Sequence, residues 1–485
     1  MMDLRRILEG RRPVTEVLRQ ICGQLESATS SEHRLALMGA TEQLIGGADA
    51  PWLFPSSESG VRGTYLDLAH VLARCADLPV CESDSGTLPP SSYEDVPVRA
   101  QAASAVLKAL YFRLGSSDRD ELTWDLAWTL APAVCVFAVA HLQDHVWTNK
   151  ASRKDAFELL ALVTQAGGCR SVSELLCGSS ADGRDGVFKA ILDLLQPQLN
   201  KNNWKRNEAT KHVFTWMLVQ VQRPCLTDYL VRIFPPSLLI SDDFRTENKV
   251  LGVHCLHHII LNVPAADLCQ FNRAQVLYHA LFNHLYTPEA PLIQVVLPCL
   301  LDLLCVLENP PTQARVLRKM NRYDEVLRLV LTHMEMEHKL DLRCVYAGSL
   351  VPFIEKMGIV IVRHLKRLER VIVSYLEISD SPEEKARLSI LDALERTLQV
   401  AWPRMECRLA VFGQSLLRFL CDVSMETLSP DIKDKLLGKA THCLQLLDFC
   451  TRGKLKVLLM EVDSSCANDI VLQCIRKVTQ EPPRE

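Results

Sequence analysis

Apolar residues recur along this chain at helical spacing almost from end to end, and over no useful length at the strict alternation that marks a half-buried strand. Val14, Val17, Leu18, Ile21, Leu25 and Ala28 fall at i, i+3, i+4 and i+7 intervals. The same reading predicts helices over 33–46, 62–76, 98–114, 120–143, 152–166, 185–195 and 208–222. Trp124 and Trp128 lie four apart on one face, which suits packing onto a neighbouring helix. In 381–400, Ala386, Leu388, Ile390, Leu391, Leu394 and Leu398 cover a wider arc than an isolated amphipathic helix shows. A helix apolar over so wide an arc has to be covered on more than one side. Pairs of helices that stack in a row and share a core meet that need. The expected fold is all-α, a curved HEAT-like or armadillo-like helical-repeat solenoid.

Punctuation supports a repeat. Thr287-Pro288-Glu289, Ser381-Pro382-Glu383 and Ser429-Pro430-Asp431 each offer a capping hydroxyl, a proline for the first helical position and an acid for the helix dipole. Asn272 with Gln275 reads as a variant capping box. The three prolines lie 94 and 48 residues apart, close to two units and one unit of about 47, the upper end of the two-helix HEAT range. The stretch 77–97 mixes Pro, Ser, Gly and acids without a period and is expected as a mobile loop. A second break falls at 178–186, GSSADGRDG. The chain is divided accordingly into an N-terminal helical region, 1–200, and a C-terminal HEAT-like solenoid, 201–485.

Composition narrows the function. A net charge of −4 on 485 residues argues against a protein whose main task is neutralising phosphates. The 18 cysteines contain no Cys-x-x-Cys pair, and Cys135, Cys255, Cys299, Cys305, Cys421 and Cys443 fall on apolar faces, where free cysteine acts as a small hydrophobe. MMDLRRILEG has no apolar leader segment and no Asn-x-Ser/Thr sequon occurs. Reduced thiols in the cytoplasm, with the nucleus as a further location, are expected. The longest unbroken apolar run, 130–140, has 11 residues against the roughly 20 of a membrane span, so no transmembrane helix and no membrane partner are expected.

Three constellations could carry chemistry. On an ideal helix His254 and His258 lie about 40° apart with Glu247 between them in angle. Glu247, however, is seven residues before His254, about 10.5 Å along the axis, too far for one metal whose ligands all sit within roughly 2.3 Å. Histidines packed or hydrogen-bonded between helices are the plainer reading, and neither metal nor cofactor is expected. Asp242 and Asp243 could form an acid/base couple or a partner-facing acidic spot, but at a helix start they serve more simply as caps and dipole partners. Arg363, Lys366, Arg367 and Arg370, with His364 among them, place four permanent cations opposite Ile361, Leu365, Leu368, Ile372 and Leu376. This basic strip is either a solvated face or a site for an acidic partner or polyanion; without interleaved aromatics, and given the overall charge, no direct nucleic acid is expected there. GxxxxGK[ST], GxGxxG, GxSxG and the kinase HRD and DFG set are missing, so an enzyme is not expected.

The stretch SDDFRTENKVLGVHCLHHIILNVPAADL (241–268), followed by NRAQVLYHALFNHLYTPE (272–289), resembles the Tel-two-interacting protein 2 family. WKRNEATKHVFTW (204–216), DEVLRLVLTHMEMEH (324–338) and VRHLKRLERVIVSYLE (362–377) extend the likeness over roughly 200–400. The resemblance implies a non-catalytic subunit of the Triple-T complex, with Tel-two and Tel-two-interacting protein 1 homologues as partners. That complex implies a co-chaperone role, passing phosphatidylinositol-3-kinase-related kinases of the TOR and DNA-damage pathways to heat-shock-protein-90 machinery. A karyopherin-like or polyanion-binding solenoid using the strip at 363–370 is the alternative.

Overall fold

The computed structural model describes residues 12–480, apart from 57, 83–87, 117–120, 180–183, 309–319 and 463–467. It is an all-α helical solenoid. Among the described residues the only sheet is a two-residue antiparallel ladder, Gly178–Ser179 with Arg184–Asp185, inside the break expected at 178–186. Gly186 follows it, where a Cβ would lie 2.0 Å from the Leu176 carbonyl oxygen, so no other residue fits.

Two compact units divide the chain, one ending at Ile240 and one starting at Ser241. The sequence-based division at 200/201 falls inside the first. That unit holds α1 (Val14–Ser27), α2 (Ser31–Gly47), α3 (Ala50–Leu53), α4 (Val61–Cys75), α5 (Val96–Ser116), α6 (Glu121–Ala140), α7 (Lys150–Ala166), α8 (Val172–Cys177), α9 (Phe188–Leu195) and α10 (Glu208–Gln220), with most of α11 (Leu230–Ser241). Here α1, α4 and α6 pack in one layer, α2, α5 and α7 in the other. Successive starts in the first layer are 14, 61 and 121, and in the second 31, 96 and 150, so the spacing is irregular.

The stretch 77–97 differs from its expectation. Its centre, 83–87, lies outside the described residues. Its ends are not loose: Leu78, Cys81, Tyr93 and Val96 are buried, and the Cys81 N–H donates to the Arg206 carbonyl at 2.9 Å. Leu78, Tyr93 and Val96 share a core with Trp147 and Ala209. Isolated apolar residues inside Pro- and Ser-rich sequence carry no period, so burial there is silent to a periodicity reading.

The second unit is regular. One layer comprises α12 (Thr246–Asn262), α15 (Ala290–Leu307), α17 (Leu340–Met357), α19 (Lys385–Val400), α21 (Pro430–Cys450) and α23 (Asp469–Gln480), each packed on the next. Their starts lie 39 to 50 residues apart. The other layer comprises α14 (Arg273–His284), α16 (Arg322–Met336), α18 (Leu365–Leu376), α20 (Leu409–Met425) and α22 (Lys454–Met460), with starts 43 to 49 apart. A short α13 (Ala265–Cys269) precedes α14. The two-helix repeat is thus real, yet two of its three proposed markers are not helix starts. Ser429 and Pro430 do open α21, though the Ser429 side chain makes no cap bond. Helix α15 begins at Ala290 after Glu289, leaving Pro288 outside, and α19 begins at Lys385 after Glu384, whose φ is 53°. Asn272 opens α14 with φ 58° and no side-chain cap.

By length and composition three segments among the described residues could cross a membrane: Glu121–Ala140, Ala290–Leu307 and Leu340–Leu376. This corrects the expectation from unbroken apolar runs, which stops at every isolated polar residue although a span tolerates a few. In the structure 61%, 50% and 39% of their most apolar windows are buried within the protein. Helix α6 packs on α4, α5 and α7, and α15 packs on α12, α14 and α17.

Candidate partner-binding surface

The stretch that opens the second unit is held together by close backbone approach. Helix α12 presents Gly252 to Ser241, where a Cβ would lie 2.2 Å from the Ser241 nitrogen. Between Ser241 and Thr246 the chain turns, so the acidic pair precedes the helix rather than sitting in its first turn. The pair is also split. Asp242 is exposed. Asp243 is buried, accepts a hydrogen bond from Asn248 Nδ2 at 2.6 Å and lies 3.5 Å from Arg245 Nε. Asp243 therefore orders the turn, and only Asp242 presents its carboxylate to solvent.

The histidines of α12 go three ways. His254 is exposed. His257 Nε2 lies 2.8 Å from Asp302 Oδ2 on α15, a bond between neighbouring helices. His258 Nδ1 lies 3.3 Å from Asn262 Nδ2, one turn on along its own helix. Among the described residues no group of three His, Cys, Asp or Glu side chains is placed to hold a metal.

The basic strip is broken in two ways. Arg363 and His364 belong to the 3-10 turn Gly358–His364, and α18 starts only at Leu365. The apolar side is as read, with Ile361, Leu365, Leu368, Ile372 and Leu376 all buried. The cations, however, largely face α16. His364 Nε2 lies 2.9 Å from Asp324 Oδ1, both side chains buried, and Arg363 lies 3.6 Å from the other Asp324 oxygen. Arg367 bonds Glu335 at 2.7 Å and Thr332 Oγ1 at 2.9 Å, and Arg370 lies 3.5 Å from Glu335. The Arg367 guanidinium bonded to Glu335 holds that carboxyl below its usual range. Arg363, Lys366 and Arg370 are exposed, and of the four cations Lys366 alone has no carboxylate partner among the described residues. Sequence spacing places cations on one face correctly but is blind to acids on the next repeat, here Asp324 and Glu335.

Periodicity also missed a buried ionic cluster. Arg387 on α19 is 1% exposed; its Nε bonds Glu384 at 2.6 Å and its Nη2 bonds Glu426 at 2.5 Å. Burial works against the Glu384 charge, but Arg387, the Ser379 hydroxyl and the Asp380 N–H more than offset it and keep the carboxyl below its usual range. Asp380 accepts from the Ala386 N–H at 2.6 Å, supplying the start of α19 with a cap the Ser381-Pro382 reading had assigned elsewhere. Its own burial pushes its carboxyl up. An acid directly before the Ser-Pro pair was the available signal.

Smaller polar links tie each repeat to the next. Tyr278 Oη donates to Glu325 at 2.7 Å, Arg408 lies 3.3 Å from Glu369, Lys439 pairs with Asp392, and Lys454 pairs with Glu406. The arrangement offers helical faces joined by polar links between repeats.

The model of the Tti2 family matches residues 182–381, which takes in the regular layers up to the loop before α19. TELO2-interacting protein 2 of Mus musculus is 44% identical over 484 residues, covering 97% of this chain and 94% of the mouse protein. The Homo sapiens protein of that name is 53% identical over 354 residues, 72% of this chain and 70% of its own. Among solved structures, Kap121p bound to RanGTP superposes with a TM-score of 0.49 at 13% identity, covering 98% of this chain and 44% of that one. A Kap95p complex with RanGDP gives 0.48 at 11%, covering 97% and 62%. On the near-complete overlap with the mouse protein, the chain belongs to the Tti2 family.

Proposed function

We propose that this chain is a non-catalytic scaffold subunit of the Triple-T complex. In that role it holds Tel-two-interacting protein 1 and Tel-two homologues, and through them supports maturation of phosphatidylinositol-3-kinase-related kinases by heat-shock-protein-90 machinery. The observation that carries the reading is the 44% identity, over 97% of the chain, to a protein named for its interaction with TELO2. A helical-repeat surface suits an adaptor, since such repeats present extended faces to other chains. A cytoplasmic location, with access to the nucleus, belongs to the same proposal. The polyanion alternative is weakened by the ion pairs that occupy Arg363, Arg367 and Arg370.

The test is co-expression with the Tel-two-interacting protein 1 and Tel-two homologues, followed by affinity purification in chelator and without nucleotide. The expected result is a stoichiometric complex that survives 0.5 M salt, a concentration that largely screens exposed charges more than about 4 Å apart. Absence of the complex on co-expression overturns the reading.

A further inference from the structure

A groove of about 1150 Å³ crosses one layer of the second unit, over α15, α17 and the loop into α19. Its walls are unusual for a helical surface. Four exposed prolines line it, Pro291, Pro298, Pro352 and Pro382, together with Leu340, which is 45% exposed. Pro298 lies inside α15 and Pro352 inside α17. Proline has no N–H, so each removes the helical donor of the carbonyl four residues earlier. Those carbonyls belong to Gln294 and Gly348, and both residues line the same groove. At Gly348 a Cβ would meet nothing within 4 Å, so the backbone there is open to an incoming group.

The charges lining the groove are four carboxylates, Asp302, Asp341, Asp380 and Glu383, against the single cation Lys385. Asp302 bonds His257 and Glu383 pairs with Lys385, while Asp341 is exposed. Cys344, also in the lining, is no nucleophile: burial and the Asp380 carboxylate push its thiol up to about 11, so it stays protonated. The site therefore offers apolar rings, hydrogen-bond acceptors and negative charge, and is short of donors.

We propose that this groove docks a segment of a partner protein that carries arginine or lysine beside apolar side chains. The cationic donors meet the carboxylates and the two helix carbonyls that proline leaves without a helical partner, and the apolar residues lie along the proline rings. Phosphate-bearing partners, nucleic acid or an anionic membrane, would be repelled by the same carboxylates. The proposal rests on the adaptor reading and gives the chemistry of one of its contacts.

The experiment is fluorescence anisotropy on the full chain with two labelled amphipathic helices of about 18 residues, five turns long. Both carry leucine on one face; one carries arginine on the other face and its counterpart carries glutamate. The arginine peptide binds the wild type, and Asp341→Lys and Gly348→Trp each weaken it at least about tenfold. Asp434→Lys, an equal change of net charge at an exposed site outside the groove, leaves it unchanged. Equal binding of the glutamate peptide, undiminished binding by both groove variants with unaltered circular dichroism melts, or no binding of the arginine peptide overturns the proposal. Co-purification with the Tel-two-interacting protein 1 homologue is scored separately, so loss of that complex with peptide binding intact sinks the adaptor reading alone.

Discussion

The unit ending at Ile240 and the unit starting at Ser241 obey one pairing rule and bury polar groups differently. In the second, helix starts recur every 39 to 50 residues, so equivalent positions of successive helices face each other. Charges placed there can meet opposite charges across repeats, as with Asp324 and His364 or Arg387 and Glu426. In the first, starts drift from 47 to 65 apart, and its core includes a buried histidine, His141, that is kept neutral rather than paired. Burial, helped by Arg99 and His145, lowers His141 to about 4. The contrast is one of emphasis, since Lys211 is buried beside Glu208 in the first unit and His284, lowered by burial, sits in the second.

The sharpest way to break this contrast is Arg387→Met. It leaves Glu384, 0% exposed, without its cation, which is expected to cost roughly 3–5 kcal/mol. Hydrogen exchange should show α17 through α21 losing protection while α4 to α7 keep theirs. Uniform loss along the chain, or no loss, would mean the cluster is not a local keystone of the second unit.

The first unit should instead respond to pH. The unfolded His141 takes up a proton near 6.5 and the folded one only near 4. Its contribution is therefore complete above pH 6.5, falls as pH drops, and levels off near 4. Between pH 7 and pH 5 the expected loss is roughly 2 kcal/mol. Asp77, raised by burial to about 6, titrates in the opposite sense, but it is exposed and solvent screens it, so His141 sets the direction. Exchange protection of α6 and α7 that is flat across this window in wild type would contradict the neutral-core description. His141→Phe should flatten it.

The smallest effect separates two neighbouring acids. Asp243→Ala strands the buried Asn248 amide and is expected to cost about 1–3 kcal/mol in urea unfolding. Asp242→Ala, exposed, should stay within about 0.5 kcal/mol. Equal costs would remove the distinction between the ordering acid and the solvent-facing one.

The helices were legible because their burial follows a period. The buried sides of α18 and α19 appear in sequence as Leu365, Leu368, Ile372 and as Ala386, Ile390, Leu394, and in the structure they are core. Helix starts were less legible. Ser381-Pro382 has a capping form, yet the cap at α19 comes from Asp380, because a buried carboxylate with two oxygens serves more donors than one hydroxyl. The basic strip was legible as a face and illegible as a site, since its neutralising acids Asp324 and Glu335 come from α16, 32 to 40 residues away. Leu78 and Tyr93 show the same limit in the opposite direction, being core residues in a segment with no pattern. Local pattern reports what a helix must cover; it does not report who covers it.

The links between repeats carry one more consequence. Those from Arg408 to Glu369 and from the Cys443 thiol to the Leu391 carbonyl span 39 and 52 residues, and Tyr278 to Glu325 falls between. About fifty further residues of chain are enough for a helix to meet its next neighbour. During translation of the second unit each repeat can dock on the preceding one as soon as it emerges, so the order of synthesis is also an order of assembly. A ribosome paused between two repeats would hold a nascent chain with one apolar face uncovered, the face the next repeat is about to close.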